Sequence, residues 1–201
     1  MDINVKDEET GINSFWLACL YGHGHLMRVL AELGIDIFAC NNNKINVLHL
    51  AVLKNHVQIV KMLCKSNFPI DLETSNGMTA LHLAALHGNS EIADIIITHL
   101  VESQFKNAYV MESISKINDQ INMSPLSLAI LYGHEDIATK LITNGARCYF
   151  ENNSMQKDLS PIFLACDKEL TELLELMCDH GAQLQVQNAS GHTPLMFASQ
   201  Q

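Results

Sequence analysis

A short sequence pattern returns at nearly constant intervals along the chain, and this periodicity restricts the possible folds more than any other feature. Subtracting successive positions gives spacings of 33, 33, 45, 36 and 33 residues. A period of this length is typical of chains that build one small unit per repeat and bury a core by stacking the units. Each copy is marked by an apolar residue followed by alanine: Leu17-Ala18, Leu50-Ala51, Leu83-Ala84, Leu128-Ala129, Leu164-Ala165 and Phe197-Ala198.

The best-preserved copy runs from residue 76 to residue 89 and predicts a tight turn followed by a short helix. Gly77 can adopt the positive φ of a hairpin turn, and Thr79 precedes an apolar run that ends near His87. Gly88 then allows the chain to reverse before a second helix with apolar residues at helical spacing. Each copy is therefore expected to form a turn and two helices.

This core resembles the T-P-L-H-x-A signature of ankyrin repeats, and the resemblance covers nearly the whole chain. It implies an all-α ankyrin-repeat solenoid of helix-turn-helix units with short β-hairpin-like turns, forming a single domain over residues 1–201. The expected repeats span about 8–40, 41–73, 74–104, 119–151 and 155–187, with a partial sixth over 188–201. Because the sixth copy stops inside its inner helix, we expect either a longer parent protein or fraying at this end.

Three departures from the pattern carry specific expectations. Lys44 stands where the turn glycine belongs and is predicted to relax that hairpin, whereas Asn55, in place of the glycine between helices, should tolerate left-handed backbone. An insertion at about 105–118 adds 12 residues between the third and fourth repeats and contains no Gly or Pro. It predicts a longer helix followed by a loop.

Composition excludes several classes of partner. The net charge of −10 argues against nucleic acid, whose binding requires Lys and Arg to neutralise phosphate, and favours a neutral or basic protein partner. No apolar run reaches the roughly 18 residues of a membrane helix, so no membrane insertion is expected. The acidic start of the chain does not resemble a secretory signal, and the six cysteines form no CxxC pair, so we expect a cytoplasmic or nuclear protein in which Cys19 and Cys166 fill small buried positions.

The ten histidines occupy repeat positions and predict no metal or catalytic site. The resemblance implies that His49 and His82 form local hydrogen bonds that tie neighbouring turns, while His23, His56 and His134 begin outer helices. No zinc-ligand spacing, phosphate-binding loop or nucleophile elbow occurs. We therefore predict no enzyme activity and no cofactor.

Binding residues are expected at the positions that ankyrin repeats leave variable, which line a concave groove formed by hairpin tips and inner helices. The first track lies on the hairpin tips at Ile12, Ile45, Met78 and Met123, with Leu159 and His192 in the later repeats. The second lies at the ends of inner helices and contains Leu20, Tyr21, Leu53, Lys54, Leu86, His87, Leu131 and Tyr132. Asp167-Lys168 takes the same place in the fifth repeat, so the contact is expected to centre on repeats one to four.

Two interpretations of these tracks remain open. Exposed apolar tracks of this extent are typical of interaction surfaces, but the first track could pack hairpin on hairpin and the leucines could lie between inner helices. The function implied by the resemblance is a protein–protein interaction scaffold or adaptor. The alternative is a regulatory ankyrin segment of a larger multidomain protein, such as an ion channel or a kinase.

Overall fold

A computed structural model describes residues 3–66, 68–102, 112–149 and 159–199, and the regular structure within these ranges is helical. Two isolated antiparallel bridges, Cys40 with Asn46 and Asn118 with Met123, close hairpin-like turns. The predicted all-α fold with hairpin-like turns is confirmed. The helices are α1 (Ser14–Leu20), α2 (Gly24–Glu32), α3 (Val47–Leu53), α4 (Val57–Lys65), α5 (Ala80–His87), α6 (Ser90–Glu102), α7 (Pro125–Leu131), α8 (Glu135–Thr143), α9 (Pro161–Asp167), α10 (Thr171–Asp179) and α11 (Pro194–Ala198).

The chain divides into two compact units, Met1–Ile96 and Ile97–Gln201. In the first unit the inner helices α1, α3 and α5 pack side by side, and the outer helices α2 and α4 pack on α1, on α3 and on each other. In the second unit α7, α9 and α11 form the inner layer, with α8 and α10 outside. Each unit thus has two helical layers, and the single domain expected over residues 1–201 stays a prediction.

Inner helices begin at small polar residues whose side chains replace missing backbone acceptors. Asn13 Oδ1 accepts the amide of Trp16 at 3.1 Å, and Ser124 Oγ accepts the amide of Ser127 at 3.2 Å. Asn46 and Thr79 add a reciprocal bond, since the Nδ1 of the histidine three residues later accepts the cap amide. These caps are buried, so each also satisfies polar groups that water does not reach.

The chain reverses after inner helices and at hairpin tips with a residue of positive φ, and four such residues are not glycine: Lys44, Asn55, Asn122 and Glu169. The expectation that Asn55 tolerates this backbone is confirmed by its φ of 55°. The expectation that Lys44 relaxes its hairpin is wrong. Lys44 N donates to Asn41 O at 2.8 Å, and Asn41 Oδ1 accepts the amide of Ile45 at 2.9 Å, so the asparagine side chain holds the turn closed.

Helix α6 is 13 residues long, whereas α2, α4, α8 and α10 have nine each. The predicted extension of this helix is confirmed as far as Glu102. Most of the insertion, residues 103–111, lies outside the described residues. At its far end Ile114 is buried, and Ser115 Oγ accepts the amide of Arg147 at 2.9 Å, so this part is anchored in the second unit.

His49 links its own helix to the turn of the next repeat, as the resemblance implied. Its ring is 1% exposed, with Nδ1 accepting from Asn46 N and Nε2 lying 2.9 Å from the carbonyl oxygen of Leu72. This pattern assigns the ring proton to Nε2. Burial lowers the pKa of the His49 imidazole from 6.5 to about 4, while the bond to Leu72 acts in the opposite direction.

Stability should therefore fall as the pH is lowered from 7 to 4. In that range the unfolded His49 takes up a proton and the buried ring does not, so this residue alone should lower the free energy of unfolding by up to about 3 kcal/mol. Urea denaturation at several pH values would measure this effect. His49→Gln should flatten the pH dependence, whereas His87→Gln, at an exposed position, should leave it unchanged; equal pH slopes for the His49 variant and the unmodified protein would contradict the assignment.

The turn after α9 offers a matched test of backbone strain. Glu169 has a φ of 55° and its neighbour Lys168 a φ of −94°. Glu169→Gly should raise the free energy of unfolding by about 0.5–1 kcal/mol, because relief of the left-handed strain exceeds the entropy cost of glycine. Lys168→Gly should be neutral or destabilising, and a stabilisation of similar size there would show that strain is not the cause.

Candidate protein-binding surface

The ends of the inner helices in the first unit carry side chains that point out of the packed layer. Tyr21 is 68% exposed and Leu53 39%, and Lys54 and His87 are also exposed. Leu20 and Leu86 are half-buried, which lies between the surface and the core interpretations of the second track. Because α1, α3 and α5 pack side by side, the three helix ends should follow one another at about 10 Å, the usual distance between packed helices.

Two hydrogen bonds between repeats hold these helix ends. His56 Nε2 lies 3.3 Å from the carbonyl oxygen of Leu20, and Asn89 Nδ2 donates to the carbonyl oxygen of Val52 at 2.7 Å. Both donors lie just before an outer helix, and both acceptors lie in the last turn of the preceding inner helix. The surface is therefore braced from behind. The sequence interpretation missed Asn89, whose signal is its place after Gly88, 33 residues after His56.

The hairpin tips of the first unit are joined to each other and are less exposed. Ile12, Ile45 and Met78 are half-buried. Asn42 Nδ2 donates to Glu9 O at 2.7 Å, and Ser75 N donates to Asn43 O at 2.8 Å. These contacts favour hairpin-on-hairpin packing for much of the first track, so it offers a partner less area than the helix ends do.

The second unit presents fewer of the predicted residues. Tyr132 is 55% exposed and Leu131 half-buried at the end of α7, in the same repeat position as Tyr21 and Leu20. Met123 is only 7% exposed, and its carbonyl accepts the amide of Asn118 across the turn at 2.9 Å. Met123 therefore belongs to the packing of its turn and not to the exposed surface predicted for it.

The buried thiols are chemically quiet. Cys19 and Cys166 are buried, as predicted from their repeat positions. Burial raises the pKa of the Cys19 thiol to about 12, and its Sγ donates to the carbonyl oxygen of Val47 at 3.2 Å. Within the described ranges, no three His, Cys, Asp or Glu side chains lie close enough to hold a metal ion. None of the helices described there is long and apolar enough to cross a membrane.

Comparisons with known proteins agree with this architecture. A family profile described as ankyrin repeats, three copies, matches residues 1–74, 68–152 and 126–201. An ankyrin repeat domain from Acinetobacter baumannii AYE, known from a crystal structure at 1.00 Å resolution, is similar to the chain with a TM-score of 0.75 and 21% identity. The match covers 91% of this chain and 88% of that one. Among curated proteins, none matches the sequence.

The chain belongs to the ankyrin-repeat family, because the profile matches span it from end to end. Ankyrin repeats are generally protein–protein interaction modules, and their fold is generally non-catalytic. The exposed helix ends described above are thus candidates for a protein contact.

The brace behind Tyr21 can be tested with two glycines of similar backbone conformation. Gly22 has a φ of +75°, and a Cβ there would lie 3.1 Å from His56 Cε1; Gly34 has a φ of +82° with nothing within 4 Å. Both alanine variants carry left-handed strain of about 1–2 kcal/mol. Gly22→Ala should be the more destabilising in urea denaturation, by about 1 kcal/mol, because it also displaces His56 from Leu20. Equal losses would show that the His56 contact contributes nothing to stability.

Proposed function

We propose that the chain is a non-catalytic scaffold or adaptor that binds a partner protein through the groove-facing ends of its inner helices, with the main anchors in the first unit. The observation that supports this most directly is the exposure of Tyr21 and Leu53 on neighbouring helices whose last turns are hydrogen-bonded to the next repeat. An exposed aromatic and an exposed aliphatic side chain at equivalent repeat positions are unusual unless a partner covers them.

The physical advantage of this arrangement is that little ordering remains to be done when the partner arrives. The residues sit on helices held by packing and cross-repeat hydrogen bonds, so association loses less conformational entropy than a flexible loop would. Tyr21 has the size and the polar hydroxyl typical of a binding hot spot. Lys54 and His87 lie beside the apolar anchors and would supply polar selectivity at the rim.

The proposed partner is a protein with a neutral or basic surface. A chain with a net charge of −10 repels acidic partners and attracts basic ones at long range. All six cysteines are free thiols, which fits a reducing compartment such as the cytoplasm or nucleus. Tyr132 in the second unit is a separate candidate contact with its own test.

Affinity capture with quantitative mass spectrometry would identify the partner, and binding would then be measured with purified components. Tyr21→Ala combined with Leu53→Ala should weaken binding by tenfold or more, since hot-spot truncations commonly cost above 1.4 kcal/mol. Tyr132→Ala, measured separately, would report whether the second unit contributes.

The matched control combines Leu26→Ala and Leu33→Ala, two exposed leucines at and just after the outer helix α2. This variant removes a similar apolar area but should bind as the unmodified protein does. Circular dichroism and urea denaturation would establish that both variants fold. Equal binding by the folded Tyr21/Leu53 variant and the control would refute the proposed surface.

A further inference from the structure

The last inner helix differs from the other inner helices of the second unit in what covers it. Helices α7 and α9 each pack on their own outer helix, α8 and α10. Helix α11 packs on α9, and within the described residues no outer helix follows it. The surface that an outer helix would cover is open there.

An apolar groove occupies this place. It has a volume of about 470 Å³ and is lined by Leu174 and Cys178 of α10, by Leu184, and by Pro194, Leu195 and Met196 of α11. Leu195 is 79% exposed and Met196 53%. A groove of this size with two such exposed apolar side chains has a substantial driving force for being covered.

The repeat register shows what kind of element fits the groove. The equivalents of Leu195 in the other repeats include Leu126 and Ile162 of this unit, both fully buried. The equivalent of Leu174 is Ala138, which is also fully buried, whereas Leu174 is half-buried. In the complete repeats these positions are covered by packed helices, including an outer helix that lies beside the preceding one, as α10 lies beside α8. The groove therefore matches an amphipathic helix.

The charges beside the groove restrict the helix further. A second concavity shares Leu174 and Cys178 with the groove and adds Glu175 and Asp179. Among the described residues that line the two concavities there is no lysine or arginine. A helix with basic residues on its polar face would thus be favoured over an acidic one.

A salt bridge elsewhere in the chain indicates where the basic residue should lie. Lys61, the fifth residue of α4, pairs with Glu91, the second residue of the next outer helix, at 3.0 Å. Glu175 is the fifth residue of α10 and so takes the place of Lys61 with the opposite charge. The helix beside α10 should then carry a lysine or arginine at its second position.

We propose that the groove between α10 and α11 binds an amphipathic helix of a partner protein, with a basic residue at its second position facing Glu175. The helix occupies the place that an outer helix takes in a complete repeat. This surface is separate from the inner-helix ends of the first unit and does not depend on the function proposed for them.

The test uses a peptide copied from an outer helix of this chain. A fluorescein-labelled peptide of residues 55–67 with Cys64→Ser would be made in two forms, Gln58→Lys and Gln58→Glu, because Gln58 is the second residue of α4. Binding of each to the 201-residue protein would be followed by fluorescence anisotropy. The lysine form should bind more tightly by about three- to fivefold, and Glu175→Gln should remove most of that difference.

Variants of the protein distinguish the groove from other apolar surfaces. Leu195→Asp should weaken binding of the lysine peptide by about tenfold or more, whereas Leu33→Asp, at a comparably exposed leucine outside the groove, should not. The Tyr21/Leu53 variant should bind the peptide normally, so this proposal can fail without the proposed function failing.

Three outcomes would overturn the proposal. Neither peptide binding at millimolar concentration would exclude a helix-binding groove, and equal binding by a folded Leu195→Asp variant would place the contact elsewhere. Concentration-dependent self-association that Leu195→Asp abolishes, seen by light scattering, would assign the groove to a second copy of the chain instead of a partner helix.

Discussion

The structure depends on the burial of each repeat's apolar face against its neighbours, since a unit of two short helices cannot bury that face alone. The leucine of the Leu-Ala pair shows this dependence. Leu50 and Leu83 in the first unit and Leu164 in the second are 4–8% exposed, whereas Leu17, in the first repeat, is 41% exposed. The same contrast separates Leu26, which is 45% exposed, from its buried equivalent Ile59. The chemistry of these positions is alike, and what differs is the neighbour.

This dependence explains why polar groups recur at fixed places in each repeat. Helices of seven to nine residues leave many backbone groups without intrahelical partners, and those groups lie against the next repeat. Buried caps such as Asn46 and Thr79 serve the helix starts, and cross-repeat donors such as His56 and Asn89 serve the helix ends. The same bonds that stabilise the stack hold the exposed ends of the inner helices in place.

The two candidate surfaces arise from different physical causes. The ends of α1, α3 and α5 are exposed although their helices are fully packed, so Tyr21 and Leu53 are exposed because of their position along the helix. The groove beside α11 is exposed because no described helix covers it, and its residues occupy positions that are buried in complete repeats. The first surface offers separate side chains to a partner, and the second offers a space shaped for a helix.

The sequence by itself determined the repeat period, the two helices of each unit and the positions where the backbone turns, because these depend on local patterning and on residues such as Gly22 and Asn55. Only the tertiary structure decided which of the predicted surface residues are exposed. Met123 and Ile45 looked alike in sequence, yet one is buried and the other half-buried, since exposure depends on the neighbouring turn. The closed hairpin at Lys44 escaped the sequence interpretation because the Asn41 side chain holds it. The groove beside α11 follows from which helices pack on which, and residue types alone do not carry that information.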